Sequence, residues 1–247
     1  MIFNKIYETY HSKRRISRRL IKHSNFTYIN IINVLDNYIS KKNLKILDLG
    51  CGVGSLSFYM ASKENDVTGV DISKNAIDVA NQSSKIILHK GKAKFLNKRI
   101  ESLSFDNKFD FILASEILEH TKNDDLILKK INFFLKPGGV SIISVPSINA
   151  PLFKLGFLTV FDKAVGHKRR YSSALLMEKL TKNNLSVHNI YKREGFLRNL
   201  LFTNNKFSFL IRFFKGPISM FVNYLDNLTV GIIGESQLIF VCRKLKI

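Results

Sequence analysis

The stretch that most constrains this chain is Ile46-Leu47-Asp48-Leu49-Gly50-Cys51-Gly52-Val53-Gly54. The apolar run from Lys45 to Leu49 has the length of a buried strand, and Ser55 to Ser62 reads as a helix. Between them, three glycines fall at alternate positions. Such a turn brings bare backbone N–H groups and a helix N-terminus up to a ligand, because glycine has no Cβ to keep the ligand away. Asp48 is the unusual residue, a carboxylate at the C-terminal end of the strand. A second strand over residues 66–70 ends in Asp71, 17 residues beyond Gly54. A doubly wound sheet presents a carboxylate to ribose hydroxyls at that point.

ILDLGCGVG followed by VTGVDIS resembles the first two motifs of class I S-adenosylmethionine-dependent methyltransferases. The glycines run G-x-G-x-G, so the G-x-G-x-x-G dinucleotide fingerprint is the poorer match. Residues 109–121, FDFILASEILEHT, resemble the fourth motif of the same family, and LKPGGVSIISVPS over 135–147 is typical of it. Residues 162–172, DKAVGHKRRYS, resemble a D-x-A-x-G-H-x-R-R-Y run in a subgroup allied to the ubiquinone-biosynthesis O-methyltransferases.

The resemblance implies an α/β, Rossmann-like fold: a seven-stranded, mostly parallel sheet with an antiparallel last strand and helices on both faces. It implies S-adenosyl-L-methionine as cofactor, held by Asp48, Gly50, Cys51, Gly52, Gly54, Asp71, Ile72, Ile100 and Ser115. Where the family has an acidic residue clasping the adenine, this chain has Lys98-Arg99-Ile100-Glu101, so Arg99 departs from the pattern and Ile100 remains as the purine contact.

Single-domain organisation is expected over 1–247: N-terminal helices over 1–43, a cofactor half over 44–147 and a substrate half over 148–247. Later strands are expected at 93–96, 109–115, 140–145, 185–192 and 236–244, and helices at 27–39, 73–82 (capped by Ser73) and 123–135. A helical turn starting at Glu116 would set Glu116, Glu119 and His120 on one face beside the cofactor. Orienting the cofactor, acting as general base and binding a divalent cation are the roles open to them. No metal is expected, since this donor set would hold Mg²⁺ only with several waters.

Glu116, His120 and His167 are the candidate catalytic residues. An imidazole titrating near neutrality can take a hydroxyl proton during methyl transfer. Arg169, Arg170 and Tyr171 are the candidate substrate-binding residues, because guanidinium groups bind carboxylate or phosphate bidentately. A plainer reading, in which this stretch caps the helix over 173–181 through salt bridges, stays open.

Charge places the partners. The net charge is +20. Residues 1–45 carry ten Lys and Arg against two acids, and 166–215 carry eleven against two, whereas 46–165 is nearly balanced. The N-terminal share includes Lys13-Arg14-Arg15 and Arg18-Arg19, with Tyr7 and Tyr10 as lid candidates by family analogy. An insertion over 196–234 interleaves thirteen Phe and Leu with Arg198, Lys206, Arg212 and Lys215. That is the pattern of an interfacial helix pair; a helix pair packed on the sheet and a dimer contact are the other readings. The isolated Cys51 and Cys242 suit a reducing compartment. No stretch has the roughly 18 uncharged apolar residues of a membrane span. The expectation is a cytoplasmic enzyme, peripheral to an anionic membrane, that methylates an oxygen of a lipid, quinone-like or glycan-type small-molecule acceptor. An RNA methyltransferase and a non-catalytic cofactor-binding scaffold are the alternatives. No base-clamping Asn-Pro-Pro-Tyr run follows the fourth strand, and the intact Asp48, Gly50, Gly52, Gly54 and Asp71 speak against the scaffold.

Overall fold

The computed structural model describes residue 16 and residues 20–40, 42–87, 90–105, 108–204 and 207–245. Tyr7, Tyr10 and the arginines at 14, 15, 18 and 19 lie outside them. Seven strands form one sheet: β1 (Lys45–Leu49), β2 (Asp66–Asp71), β3 (Lys92–Asn97), β4 (Phe109–Ser115), β5 (Leu135–Pro146), β6 (Leu185–Arg193) and β7 (Gln237–Lys244). Their order is β3-β2-β1-β4-β5-β7-β6, with β7 antiparallel to both of its neighbours and the other pairings parallel. Strand β5 starts earlier than expected, at Leu135, because Leu135 already pairs with Phe109 of β4.

The inner strands read as unbroken apolar runs because both of their faces are covered. Leu47, Leu49, Ile112 and Ile143 point to one face, against α4 (Asp124–Phe134) and α7 (Ser173–Lys182). Ile46, Phe111, Leu113 and Ile142 point to the other, against α1 (Ile29–Tyr38) and α2 (Ser55–Ser62). The helix α3 (Lys74–Ser84) is capped as expected, with the Ser73 hydroxyl accepting from the Ala76 N–H at 3.1 Å. Strand order reverses between β1 and β4, and this opens a crevice at the carboxyl ends of the strands.

Two short helices, α5 (Pro151–Lys154) and α6 (Thr159–Val165), follow β5. Between β6 and β7 the insertion forms α8 (Phe196–Thr203), a 3₁₀ turn (Ser208–Phe213) and the long α9 (Gly216–Ile233). Arg198, expected among the interfacial basic residues, is instead 0% exposed. Its guanidinium donates to the Glu194 carboxylate at 2.8 Å and to the Phe26 carbonyl at 2.5 Å. It also lies over the Phe26 and Phe202 rings, 4.5 and 4.8 Å from their centroids. The residue pins the segment before α1 to the insertion and offers nothing to a membrane. Arg198→Ala would leave Glu194 without this partner and open a void between two rings. We expect a loss of about 3 kcal/mol in urea unfolding, as for one broken side of a buried pair; a loss under about 1 kcal/mol would contradict this.

Candidate active site

The turn after β1 takes the shape its glycines allow. Gly50 and Gly54 have φ of +72° and +82°. A Cβ on Gly50 would stand 2.8 Å from Ile117 Cδ1, and one on Gly54 2.8 Å from the Phe95 ring. The Gly50 and Cys51 N–H groups donate to the Val70 carbonyl, which ties the turn to β2. The Asp71 carboxylate completes the tie by accepting from the Gly52 N–H and the Ser73 N–H, both at 2.8 Å.

Above this turn is a cavity of about 410 Å³. The β1 turn and Asp71 line one part of it, and α6, α8 and Glu194 line another. Of the nine residues expected at the cofactor, Asp48, Gly50, Cys51, Gly52, Asp71 and Ser115 line this cavity. Gly54 caps α2 behind the turn. Ile100 does not line this cavity: it sits in a 3₁₀ turn and is buried in the core cluster with Leu103. Ile72 is not among the described lining residues either, and its carbonyl accepts from the Asn97 amide at 2.9 Å. The Cys51 thiol is pushed well up by burial, with the Asp48 and Asp71 charges adding to the effect, so it stays protonated and is no nucleophile.

The chain after β4 departs from expectation. Glu116 has φ +53° and starts no helix; a 3₁₀ turn follows at Leu118–His120. The left-handed residue turns Ile117 into the space beside Gly50. The Glu116 carboxyl accepts from the Ser144 hydroxyl at 2.8 Å and the Gln237 amide at 3.1 Å, which fixes it to the ends of β5 and β7. Burial raises its pKa. Glu116 therefore does not share a helical face with Glu119 and His120.

The structure assembles a different group, drawn from two distant segments. His167 Nδ1 is 2.9 Å from Asp162 Oδ1. Arg170 holds that carboxylate bidentately, at 2.8 and 2.6 Å. Burial works to raise the Asp162 pKa, but the bonds from His167 and Arg170 outweigh it and hold the carboxylate below its usual range. His120 Nδ1 is 3.2 Å from the Gly166 carbonyl, and the two imidazole centroids are 4.9 Å apart. Burial, and then His167, lower the His120 pKa to about 4, so this ring is neutral and its Nδ1–H donates to Gly166.

Glu119 is fully buried, and neither of its oxygens has a hydrogen-bond partner among the described residues. Burial, and then Glu116, raise its pKa well above the ordinary range. Its Oε1 lies 3.7 Å from His120 Nε2 and 3.9 Å from His167 Nε2. Glu119, His120 and His167 offer ligand atoms that all lie within 4.8 Å of one another, a donor set that fits a divalent cation. The E-x-x-E-H run alone did not reveal it, because the third member, His167, comes from a segment far along the chain.

Arg169 and Tyr171, expected at the substrate, are corrections. Arg169 pairs with Asp124 at 3.0 Å, and the Tyr171 hydroxyl donates to the same carboxylate at 2.8 Å, with Tyr171 0% exposed. Neither is among the residues lining the cavity; they fasten the run 166–172 to the N-terminus of α4, close to the plainer of the two sequence readings. Arg170 does line the cavity, but its guanidinium is engaged by Asp162. Tyr28, Glu194, Asn199 and Gln237 also line it and carried no motif signal. Asp162 stood inside the D-x-A-x-G-H-x-R-R-Y run, with no role assigned to it.

A family model described as a methyltransferase domain matches residues 40–198, and the chain belongs to this family. It is 39% identical over 103 residues to the ubiquinone biosynthesis O-methyltransferase of Pelagibacter ubique, covering 42% of each chain. It is 30% identical over 140 residues to the ubiquinone biosynthesis O-methyltransferase of Rickettsia typhi, covering 56% of this chain and 55% of that one. These matches span about half the length of either relative. Among solved structures, an S-adenosylmethionine-dependent methyltransferase from Methanosarcina mazei aligns at TM-score 0.61 and 21% identity, over 86% of this chain and 97% of that one. The N-methyltransferase NodS from Bradyrhizobium japonicum, in complex with S-adenosyl-L-homocysteine, aligns at TM-score 0.63 and 15% identity, over 98% of both chains. The fold is that of these S-adenosylmethionine-dependent enzymes.

Asp48 gives the site a pH signature. Its carboxyl accepts from the Ser57 hydroxyl at 2.5 Å, yet burial raises its pKa from 3.8 to about 7. The folded chain therefore keeps a proton that the unfolded chain releases near pH 4, and this group costs stability as pH rises from about 4 to 7. Asp48→Asn removes that cost and keeps an acceptor for Ser57. Thermal unfolding at pH 8 should show the variant more stable, by up to about 4 kcal/mol, because a tenfold difference in proton affinity between the folded and unfolded chain is worth about 1.4 kcal/mol. Little difference is expected at pH 4. Equal or lower stability at pH 8 would contradict the assignment.

Proposed function

We propose that the chain transfers a methyl group from S-adenosylmethionine to a hydroxyl oxygen of a quinone-like, lipid-soluble acceptor. We further infer that it works in the cytoplasm, peripheral to an anionic membrane. The observation that carries the chemistry is the placement of His167 in the same cavity as the glycine turn, with Asp162 on its Nδ1.

The residues around the turn fit the cofactor. Gly50 and Gly52 line the cavity beside Asp71, which stands at the point where this fold presents a carboxylate to ribose hydroxyls. When bound, S-adenosylmethionine supplies an electrophilic methyl group on a good leaving thioether. The work left to the chain is positioning, exclusion of water and removal of one proton. With Nδ1–H donating to Asp162, His167 presents Nε2 as the base for the acceptor's hydroxyl proton. Asp162, held rigid by Arg170, fixes that tautomer and steadies the imidazolium that forms. Glu116 and His120 border the same space, Glu116 as a positioning group on Ser144 and Gln237 and His120 as the neutral neighbour of His167.

Acceptor class follows from charge. Among the described lining residues the one cationic side chain is Arg170, which Asp162 already occupies, while Asp71 and Glu194 are acidic and Asp48 and Glu116 are carboxyls whose pKa burial raises. Such a cavity suits a cationic cofactor and a neutral acceptor better than one bearing carboxylate or phosphate. The O-methyltransferase relatives point the same way. Nucleic acid fits less well, having no unengaged basic side chain on the described cavity wall to meet its phosphates.

A second reading rests on the partnerless oxygens of Glu119: a divalent ion held by Glu119, His120 and His167 would lower the pKa of the acceptor hydroxyl instead. Methyl-labelled cofactor and a short-tailed hydroxylated quinol test both. We expect label in the organic phase, activity that survives EDTA, and a fall in kcat of roughly 10²–10⁴-fold for His167→Gln with S-adenosylhomocysteine affinity unchanged. Activity lost to EDTA and restored by a divalent ion would replace the base with the metal. No label in any neutral acceptor would sink the acceptor class.

A further inference from the structure

The long helix α9 is built with its polar side inward. Ser219, Asn223 and Asp226, spaced four and three residues apart, are buried. The Asp226 carboxylate accepts from the Gly195 N–H at 2.8 Å and the Arg198 N–H at 3.1 Å. Asn227 reaches both the Glu194 N–H and the Asn30 side chain. Asp226 and Asn227 thus dock the helix through hydrogen bonds, Ser219 Oγ and Asn223 Oδ1 have no partner among the described residues, and the large apolar residues lie outside. Ile218, Phe221, Leu225, Leu228 and Ile232 form an exposed stripe along four turns, with Phe221 at 63% and Ile232 at 87%. Tyr224 stands beside the stripe at 62% and, with Met220, broadens it.

Resting on the membrane association proposed above, we infer that this outer face of α9 is the surface that enters an anionic lipid bilayer. Three observations choose lipid over a second copy of the chain. The apolar face is wider than the narrow seam of paired helices, and broad faces flanked by basic residues mark interfacial helices. Arg212 and Lys215 are exposed at its N-terminal end, and the only acid between residues 207 and 233 is the buried Asp226. Against an anionic surface that pattern is complementary; against another copy of a chain carrying +20 it is repulsive.

The third observation links the face to the site. A Cβ on Gly234, at the C-terminal end of α9, would meet the Asn149 carbonyl at 2.3 Å and Lys154 Nζ at 3.1 Å. The turn that begins just past Lys154 carries Leu155 and Phe157, exposed at 63% and 70%, and Val160 in the first turn of α6 is exposed at 79%. The turn past Lys154 leads directly into α6, whose Phe161, Ala164 and Val165 wall the cavity. An acceptor dissolved in the bilayer would meet this wall without crossing bulk water.

The test uses the full chain with vesicles of phosphatidylglycerol and phosphatidylcholine, or of phosphatidylcholine alone, read by co-sedimentation. Wild type should pellet with the anionic vesicles and only weakly with the neutral ones. The triple variant Phe221→Glu, Leu225→Glu, Leu228→Glu should bind anionic vesicles at least tenfold more weakly. Replacing Arg212 and Lys215 by Gln should weaken binding at low salt and matter little at high salt. Calorimetric binding of S-adenosylhomocysteine should be unchanged in every variant, which shows that each is folded. Wild type that fails to pellet, or pelleting indifferent to the triple change, would overturn the inference. So would light scattering that shows a dimer dispersed by the triple variant with no vesicle binding. A chain that pellets as expected but binds no S-adenosylhomocysteine would leave this surface standing and sink the proposed enzyme.

Discussion

Asp71 sits at the carboxyl end of β2 and spends one oxygen on the N–H of Gly52 and the other on that of Ser73. This one carboxylate therefore joins the turn after β1 to the start of α3. The Gly50 and Cys51 N–H bonds to the Val70 carbonyl hold the start of the turn, and without Asp71 its middle, at Gly52, would keep much of a glycine's conformational freedom. The bond across the strands settles that, at 2.8 Å and with a charged acceptor, the stronger kind of hydrogen bond. A ribose that replaced or shared these bonds would meet an acceptor already aimed.

The other side of the cavity is organised by a second carboxylate. Asp162 receives both arms of Arg170 and the Nδ1 of His167, so a short helix and the run after it become one unit. Asp124 does the same one layer down, collecting Arg169, Tyr171 and Lys179. The basic run 168–170 is thus largely consumed by structure. Arg170 lines the cavity with its guanidinium engaged by Asp162, and beside it stands the His167 imidazole, so under the proposed function the site takes a proton from a neutral acceptor instead of binding an anionic one.

Much of this was legible in the sequence. Strands such as Phe109–Ser115 announce themselves because apolar side chains fill both faces of a parallel sheet, and Ser73 announces a helix start because its hydroxyl has a donor to meet. Pairings across long distances were not legible. Nothing near Glu119 says that His167 will lie 3.9 Å from it, since the two meet only once β5 and α6 have brought the chain back. Arg198 misled for a related reason. Interleaved Phe and Arg look the same whether the arginine faces lipid or lies between Phe26 and Phe202, and only the docking of the preceding segment distinguishes the two. Glu116 misled locally, because a glutamate after a strand favours a helix, whereas Ser144 and Gln237 draw it into a left-handed turn.

The proposed chemistry depends on Asp71 and the glycine turn forming the S-adenosylmethionine site. Isothermal calorimetry of S-adenosylmethionine binding to the wild type and to Asp71→Ala tests it most directly. Losing a charge-assisted acceptor should weaken binding by about 2–3 kcal/mol, a factor of roughly 30–150, while NAD should bind neither protein. Equal affinity in the two proteins, or binding of NAD in place of S-adenosylmethionine, would contradict it.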